Sequence, residues 1–297
     1  MKKIIPFTFS SPAIAGAAWM VLAACLLGVL SLLVRNVAGE LHPFEIVFFR
    51  NVAQFVLMMP WLVVVGLKAL RTDRPWAHVR RSSFGILAML SWFWVITKMP
   101  IAEATAISFS APLFTTLGAG LFLGEHVGLR RWSATLVGFL GVLIIIRPGF
   151  RDVGEVQLIA IGCAVLIAAA MLSNKSLAKT ENSNAMVMWM GLIMSILSVP
   201  TLVSVWQVPS LGAMAWLVVI GLVATCAHLS INRAYARGDA SFIAPFGFVQ
   251  IPFVAVLGYF FFTEVPEIWT WIGAFVIIGA GIYTAHRESL AKSSAVN

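Results

Sequence analysis

The sequence predicts an all-α polytopic membrane protein of ten transmembrane helices, arranged as two inverted five-helix repeats with both termini cytoplasmic. Three observations predict it. Of 297 residues, 60% are hydrophobic and only 11% are charged, with a mean hydropathy of +0.95. A soluble domain carries about a quarter charged residues, so this chain lacks the polar surface to cover a globule in water. A soluble enzyme and a disordered chain are both excluded. Ten apolar runs can be drawn along the chain, and basic residues gather on one side of them.

The runs lie at 13–34, 44–66, 82–97, 102–123, 131–146, 156–172, 185–205, 211–232, 240–262 and 268–285. A bilayer core about 30 Å thick needs about 20 apolar residues per helix. The segments between runs are short and hold Gly, Pro, Asn and charge, as turns at a membrane face do. The first run follows Lys2 and Lys3, the flank of a secretory signal. Its 22 residues (13–34) exceed the usual signal core of about 7–15, and no small-residue cleavage site follows, so it reads as the first span.

With the N-terminus inside, the cytoplasmic segments hold Lys2, Lys3, Lys68, Arg71, Arg74, Arg80, Arg81, Arg130, Arg131, Lys175, Lys179, Arg233, Arg237, Arg287 and Lys292. The outer loops hold Arg35, Lys98, Arg147 and Arg151. Fifteen against four satisfies the positive-inside rule, and removing one span would scramble the asymmetry. The net charge of +8 forms no continuous basic stripe, so it suits an anionic lipid surface and no nucleic-acid partner is expected. Cys25, Cys163 and Cys226 each sit inside an apolar run without metal-ligand spacing. They read as small core residues, with no metal and no cofactor implied.

The chain also repeats itself. Ala102-Glu103-Ala104-Thr105 opens a span that passes Pro112 and ends in Gly124-Glu125, followed by Arg131-Trp132. Gly238-Asp239-Ala240-Ser241 opens a span through Pro252 that ends in Thr263-Glu264, followed by Trp269 and Trp271. The offsets agree: 136 from Glu103 to Asp239, 140 from Pro112 to Pro252, 139 from Glu125 to Glu264. This divides the chain into repeats at 1–150 and 151–297. Five spans per repeat is an odd number, so the two copies enter the membrane from opposite sides, the arrangement of secondary transporters that hold substrate near the midplane.

These blocks, their order and Arg50 early in span two resemble the EamA-type drug/metabolite transporter superfamily over nearly the whole chain. The resemblance implies a bacterial inner-membrane exporter of small metabolites, often amino acids, working by alternating access. Exporters or exchangers of hydrophobic drugs, organic phosphates or nucleotide sugars remain as alternatives, as does a scaffold or sensor without transport. A monomer fits this picture, with a small-molecule substrate and the lipid bilayer as its partners.

The expected binding residues are Trp92, Trp94, Ser108, Ser110, His228, Ser230 and Gln250, on the third and fourth helices of each repeat, joined by Trp19 of span one and Asn174 of span six. At an offset of 136, Trp92 matches His228 and Trp94 matches Ser230, facing each other across one cavity. A mostly apolar pocket with a few placed polar groups suits a small amphiphilic metabolite. Proline frees the carbonyl four residues earlier, so Pro112, Pro245 and Pro252 mark expected helix breaks or kinks. Arg50, Glu103 and Asp239 are expected to act as structural charges, Arg50 pairing with Glu45 or Glu103; the alternative is that Arg50 meets an anionic group on the substrate. No Asp or Glu lies near the middle of a span, which disfavours a proton-coupled pump for cationic drugs, and His228 is the one deep group that titrates near neutrality. No H-E-x-x-H, G-x-S-x-G or P-loop is present, so no catalytic residue is expected.

Overall fold

The computed structural model describes residues 12–122, 129–147, 154–177, 180–235, 237 and 244–294. Among them the chain is all α. Its helices are α1 (Pro12–Val37), α2 (Pro43–Val65), α3 (Pro75–Lys98), α4 (Ile101–Ser108), α5 (Ala111–Phe122), α6 (Leu129–Ile146), α7 (Glu155–Leu177), α8 (Ser183–Ser198), α9 (Leu211–Tyr235), α10 (Gln250–Phe262) and α11 (Ile268–Ser294). Short 3-10 turns occupy Leu67–Leu70, Val199–Leu202 and Ala244–Val249. Among the described residues, five segments are both long and apolar enough to cross a membrane: Ile14–Val37, Pro43–Val65, Glu155–Asn174, Ser183–Leu202 and Leu211–Ala234.

Local chemistry sets the ends. His42 caps α2: its Nδ1 accepts from the Phe44 amide at 3.3 Å while Glu45 accepts from the His42 amide at 3.1 Å. Gly66, at φ 85, stops the same helix in a conformation that L side chains avoid. Asn182 caps α8 by accepting from the Asn184 amide at 2.9 Å.

Two runs differ from their expected extent. Run 102–123 is broken at Phe109–Ser110, and Ser108 and Ser110 each return their hydroxyl to a carbonyl three residues back, at 2.7 Å. Pro112 is the second residue of α5, where its missing N–H costs nothing. Run 185–205 leaves the α conformation at Ser198, because Pro200 cannot donate to an α-helical ladder and the chain tightens into a 3-10 turn.

The core is one large apolar cluster, reaching from Val34 of α1 and Ile46 of α2 through Phe93, Ile96 and Ile107 to Leu217, Ile220 and Ile277. Large apolar side chains also cover the outside, among them Val64, Leu136, Val203, Leu211, Phe260 and Phe275. Apolar patches of that extent are rare on proteins that face water and normal on proteins that face lipid. Of the cysteines expected in the core, Cys163 is buried and Cys25 half-buried, but Cys226 is exposed on this outer surface; an apolar run does not reveal which of its sides turns outward.

Helix pairings are reciprocal. Helix α1 packs on α9 as α7 packs on α3; α2 meets α9 as α8 meets α3; α10 meets α1 as α5 meets α7. Three further contacts join α2 to α8, α4 to α10 and α6 to α11. In the last seam two backbones meet: a Cβ added at Gly273 would lie 2.5 Å from the Gly141 carbonyl oxygen, and one at Gly141 would lie 2.9 Å from that of Gly273.

At the end of the bundle where α3 and α8 begin, polar groups tie the two sides together. Thr72 donates to Glu181 at 2.6 Å, and Arg74 donates to the hydroxyl and carbonyl of Ser176 at 2.8 and 3.0 Å. His78, ahead of the apolar part of α3 and 1% exposed, points Nε2 at Glu181 from 3.8 Å. Burial holds the His78 pKa below its ordinary 6.5; Glu181 pulls it up, and Arg81 and Arg74 push it down. The folded protein therefore resists a proton that the unfolded chain accepts, so stability falls as pH drops below about 6.5. The apparent Tm of purified protein is expected to fall between pH 7.5 and pH 5.5, and His78→Asn to flatten part of that slope. An identical slope in the variant would show that His78 does not contribute.

Candidate functional site

Helix α2 lies between α3 and α9 and touches both. It carries an unusual polar stripe: Arg50 is 1% exposed, and Asn51 and Gln54 are fully buried. Positions 50 and 54 share one helix face. Arg50 Nη1 donates to Asn51 Oδ1 at 2.7 Å, while its Nε has no hydrogen-bond partner. Asn51 Nδ2 reaches Met89 Sδ of α3 at 3.7 Å, and Gln54 Nε2 donates to the Val187 carbonyl of α8 at 3.2 Å, leaving Oε1 without a partner. On α9, His228 is half-buried. The stripe thus ties α2 to the helix of Trp92 and to α8.

The pairing expected for Arg50 is not found. Glu45 is fully buried but occupied: one oxygen accepts from the His42 amide and the other from the Gln207 amide. No described carboxylate lies within ion-pair distance of Arg50. Glu103 sits half-buried in the first turn of α4 and lines a cavity of about 330 Å³ with Lys98, Gln157, Glu267 and Thr270. Asp239 lies outside the described residues.

Trp92 and Trp94 are half-buried and pack on the central cluster. Ser108, Ser110 and Ser230 commit their hydroxyl protons to carbonyls of their own helices, Ser230 to Cys226 at 2.7 Å, and retain only acceptor capacity. Asn174 keeps a buried Oδ1 without a partner. Gln250 is half-buried at the start of α10. Trp19 packs with Met20, Ala234 and Phe246 of the turn before α10, beneath the guanidinium groups of Arg233 and Arg237 at 4.9 and 5.7 Å.

Both proline-marked helices are interrupted. Helices α4 and α5 part at Phe109–Ser110, and the 3-10 turn Ala244–Val249, which contains Pro245, precedes α10 with exposed Pro252 in its first turn. The two interruptions meet: the Phe109 and Phe248 rings are 5.0 Å apart.

One end of the bundle is closed by a latch that sequence reasoning missed. Helix α10 ends in left-handed Thr263 (φ 54), and the Glu264 amide returns to the Gly258 carbonyl at 3.1 Å. That turn delivers Glu264 to Arg35 of α1 as an ion pair, and its second oxygen accepts from the Ile101 amide of α4 at 3.0 Å. Arg35 also lies 4.7 Å over the Phe262 ring. The buried pair Asn51 and Gln54 was missed as well; its signal was a polar triplet, Arg50-Asn51-x-x-Gln54, inside an apolar run.

Comparison with known proteins gives a consistent answer. The model of the EamA-like transporter family matches residues 14–147 and 156–285. A protein of Rickettsia bellii named S-adenosylmethionine uptake transporter is 29% identical over 281 residues, covering 95% of this chain and 97% of its own length. A riboflavin transporter of Rhizobium johnstonii is 31% identical, covering 94% and 93%. A pseudopaline exporter of Pseudomonas aeruginosa is 28% identical, covering 90% and 94%. A solved crystal structure at 19% identity shares the fold, with a TM-score of 0.65 over 92% of this chain and 98% of that one.

Proposed function

The chain belongs to the EamA-like transporter family, and on that premise we propose that it exports amino acids or close amino-acid derivatives across the cytoplasmic membrane by alternating access. The coarser part follows from the family: these are integral membrane transporters of small metabolites, not enzymes. In the proposal, α4 with α5 counts as one span and the turn Ala244–Val249 with α10 as another, giving ten spans with both termini inside. Residues 1–150 and 151–297 are the inverted repeats. The reciprocal helix pairings support this division, as does a family model that matches two segments separated near residue 150.

The observation that carries the mechanism is the meeting of the two interrupted helices at Phe109 and Phe248. Broken helices in corresponding positions of two halves are where secondary transporters bind and rock. In this reading the tryptophans of α3, His228 of α9 and the α2 stripe would line the same central cavity. Polar residues inside a membrane protein are costly and mark solute pathways. The latch of Arg35 and Glu264 would close the outer end, leaving the cytoplasmic end to open.

The test is uptake of radiolabelled amino acids, S-adenosylmethionine and riboflavin into proteoliposomes, with and without a pH gradient. Saturable uptake of an amino acid or amino-acid derivative is expected, reduced at least tenfold by His228→Ala or Trp92→Ala. Undiminished uptake in both variants would remove them from the site. Riboflavin uptake alone would favour a second reading, supported by the 31% identical riboflavin transporter, in which Trp92, Phe109 and Phe248 stack on a flat aromatic solute.

A further inference from the structure

We infer that Arg50 is the receptor for a carboxylate carried by the transported solute, with Asn51 and Gln54 orienting the group; this rests on the transport reading above. An arginine 1% exposed inside a membrane protein needs a counter-charge, because an uncompensated buried charge is among the most expensive features a fold can hold. Among the described residues none is supplied: no described carboxylate pairs with Arg50, and Glu45, five residues back on the same helix, is spent on two backbone amides. What Arg50 has instead is the neutral amide of Asn51 on Nη1.

The unfilled atoms have the chemistry of a receptor. A guanidinium binds carboxylate through two parallel N–H groups, and one such edge includes Nε. The Arg50 Nε is buried and has no partner. One turn further on, the buried Gln54 Oε1 is also without a partner. An acceptor there complements an ammonium, so an α-amino acid group would satisfy both. Arg50 lies about 10 Å from the start of α2 at 1.5 Å per residue, so its head reaches the interior and not the helix end.

S-adenosylmethionine and its decarboxylated form differ only in the carboxylate and provide the probe pair, with riboflavin as a solute that has no carboxylate. The full chain is purified as wild type, Arg50→Lys and Arg50→Met, and followed by thermal unfolding and by proteoliposome uptake. Without solute, Arg50→Met is expected to be at least as stable as wild type, since it removes an uncompensated charge and keeps the bulk. S-adenosylmethionine is expected to raise the wild-type Tm by several degrees, decarboxylated S-adenosylmethionine not to, and Arg50→Met to respond to neither. Uptake of S-adenosylmethionine should fall at least tenfold in Arg50→Met and only partly in Arg50→Lys. A marked loss of Tm in Arg50→Met without solute would show a structural role and overturn the inference. So would equal responses to the two probes, or riboflavin uptake that survives the substitution while S-adenosylmethionine has no effect. If the wild type carries none of the panel yet S-adenosylmethionine still stabilises it through Arg50, the transport reading fails and the carboxylate receptor stands.

Discussion

Gly273→Ala is expected to lower the apparent Tm of the purified protein by roughly 5 °C or more, a loss of about 2–3 kcal/mol, and to broaden its gel-filtration peak. The reason is geometric. Helices α6 and α11 approach until the two glycine backbones touch, and a methyl at position 273 would sit 2.5 Å from the carbonyl oxygen of Gly141 and against the Ile145 side chain. A backbone oxygen inside a helix cannot step aside as a flexible side chain can, so the whole seam must open. Small residues at such seams supply the close packing that membrane helices use in place of the hydrophobic effect. Gly162→Ala is the control. That glycine lies on α7 with nothing within 4 Å of the added methyl, and no loss is expected. Equal melting temperatures for the two variants would show that the seam is not a close backbone contact.

Glu264→Ala is expected to unlatch one end of the bundle and to cost about 2 kcal/mol, the lower part of what breaking a buried pair costs after allowance for partial solvent contact. The Glu264 and Arg35 side chains are 15% and 21% exposed. Removal of the carboxylate strands two donors at once, the Arg35 guanidinium and the Ile101 amide. Glu264→Gln keeps an acceptor for the amide and loses only the charge, so its stability loss should be smaller. The functional consequence concerns the state of the bundle. Met99, 5% exposed, gives its carbonyl to the latch and lines the cavity at that end. In a background without cysteine, a Met99→Cys reporter should react with a maleimide at least several-fold faster once Glu264 is neutralised. An unchanged rate would mean that the ion pair does not hold that end closed.

Much of this was legible in the residues. Composition alone forced a lipid environment, because 11% charged residues cannot wrap a chain of this length in water. Helix α4 parts from α5 just ahead of Pro112, and a 3-10 turn that contains Pro245 precedes α10; proline's missing N–H disfavours an unbroken ladder there. The order of the Glu103, Pro112 and Pro252 blocks pointed to the family that the comparisons show. A run of apolar letters does not state which side faces lipid, so Cys226 was expected in the core and is exposed. Nor does it state a residue's distant neighbours: Trp19 meets Phe246 and the arginines at the end of α9.

What the sequence determined by itself is the class of the molecule and its periodic parts: apolar helices and their polar ends. These depend on each residue's own chemistry and on neighbours a few positions away. Which distant groups meet was decided only by tertiary structure. Glu264 finds Arg35 and the Ile101 amide across more than 150 positions of chain, while Glu45, close enough in sequence to pair with Arg50, is drawn to the Gln207 amide instead. Charge pairing falls off over a few ångströms, and helix packing alone sets distances on that scale. That Arg50 meets no carboxylate among the described residues is therefore a property of the assembled bundle.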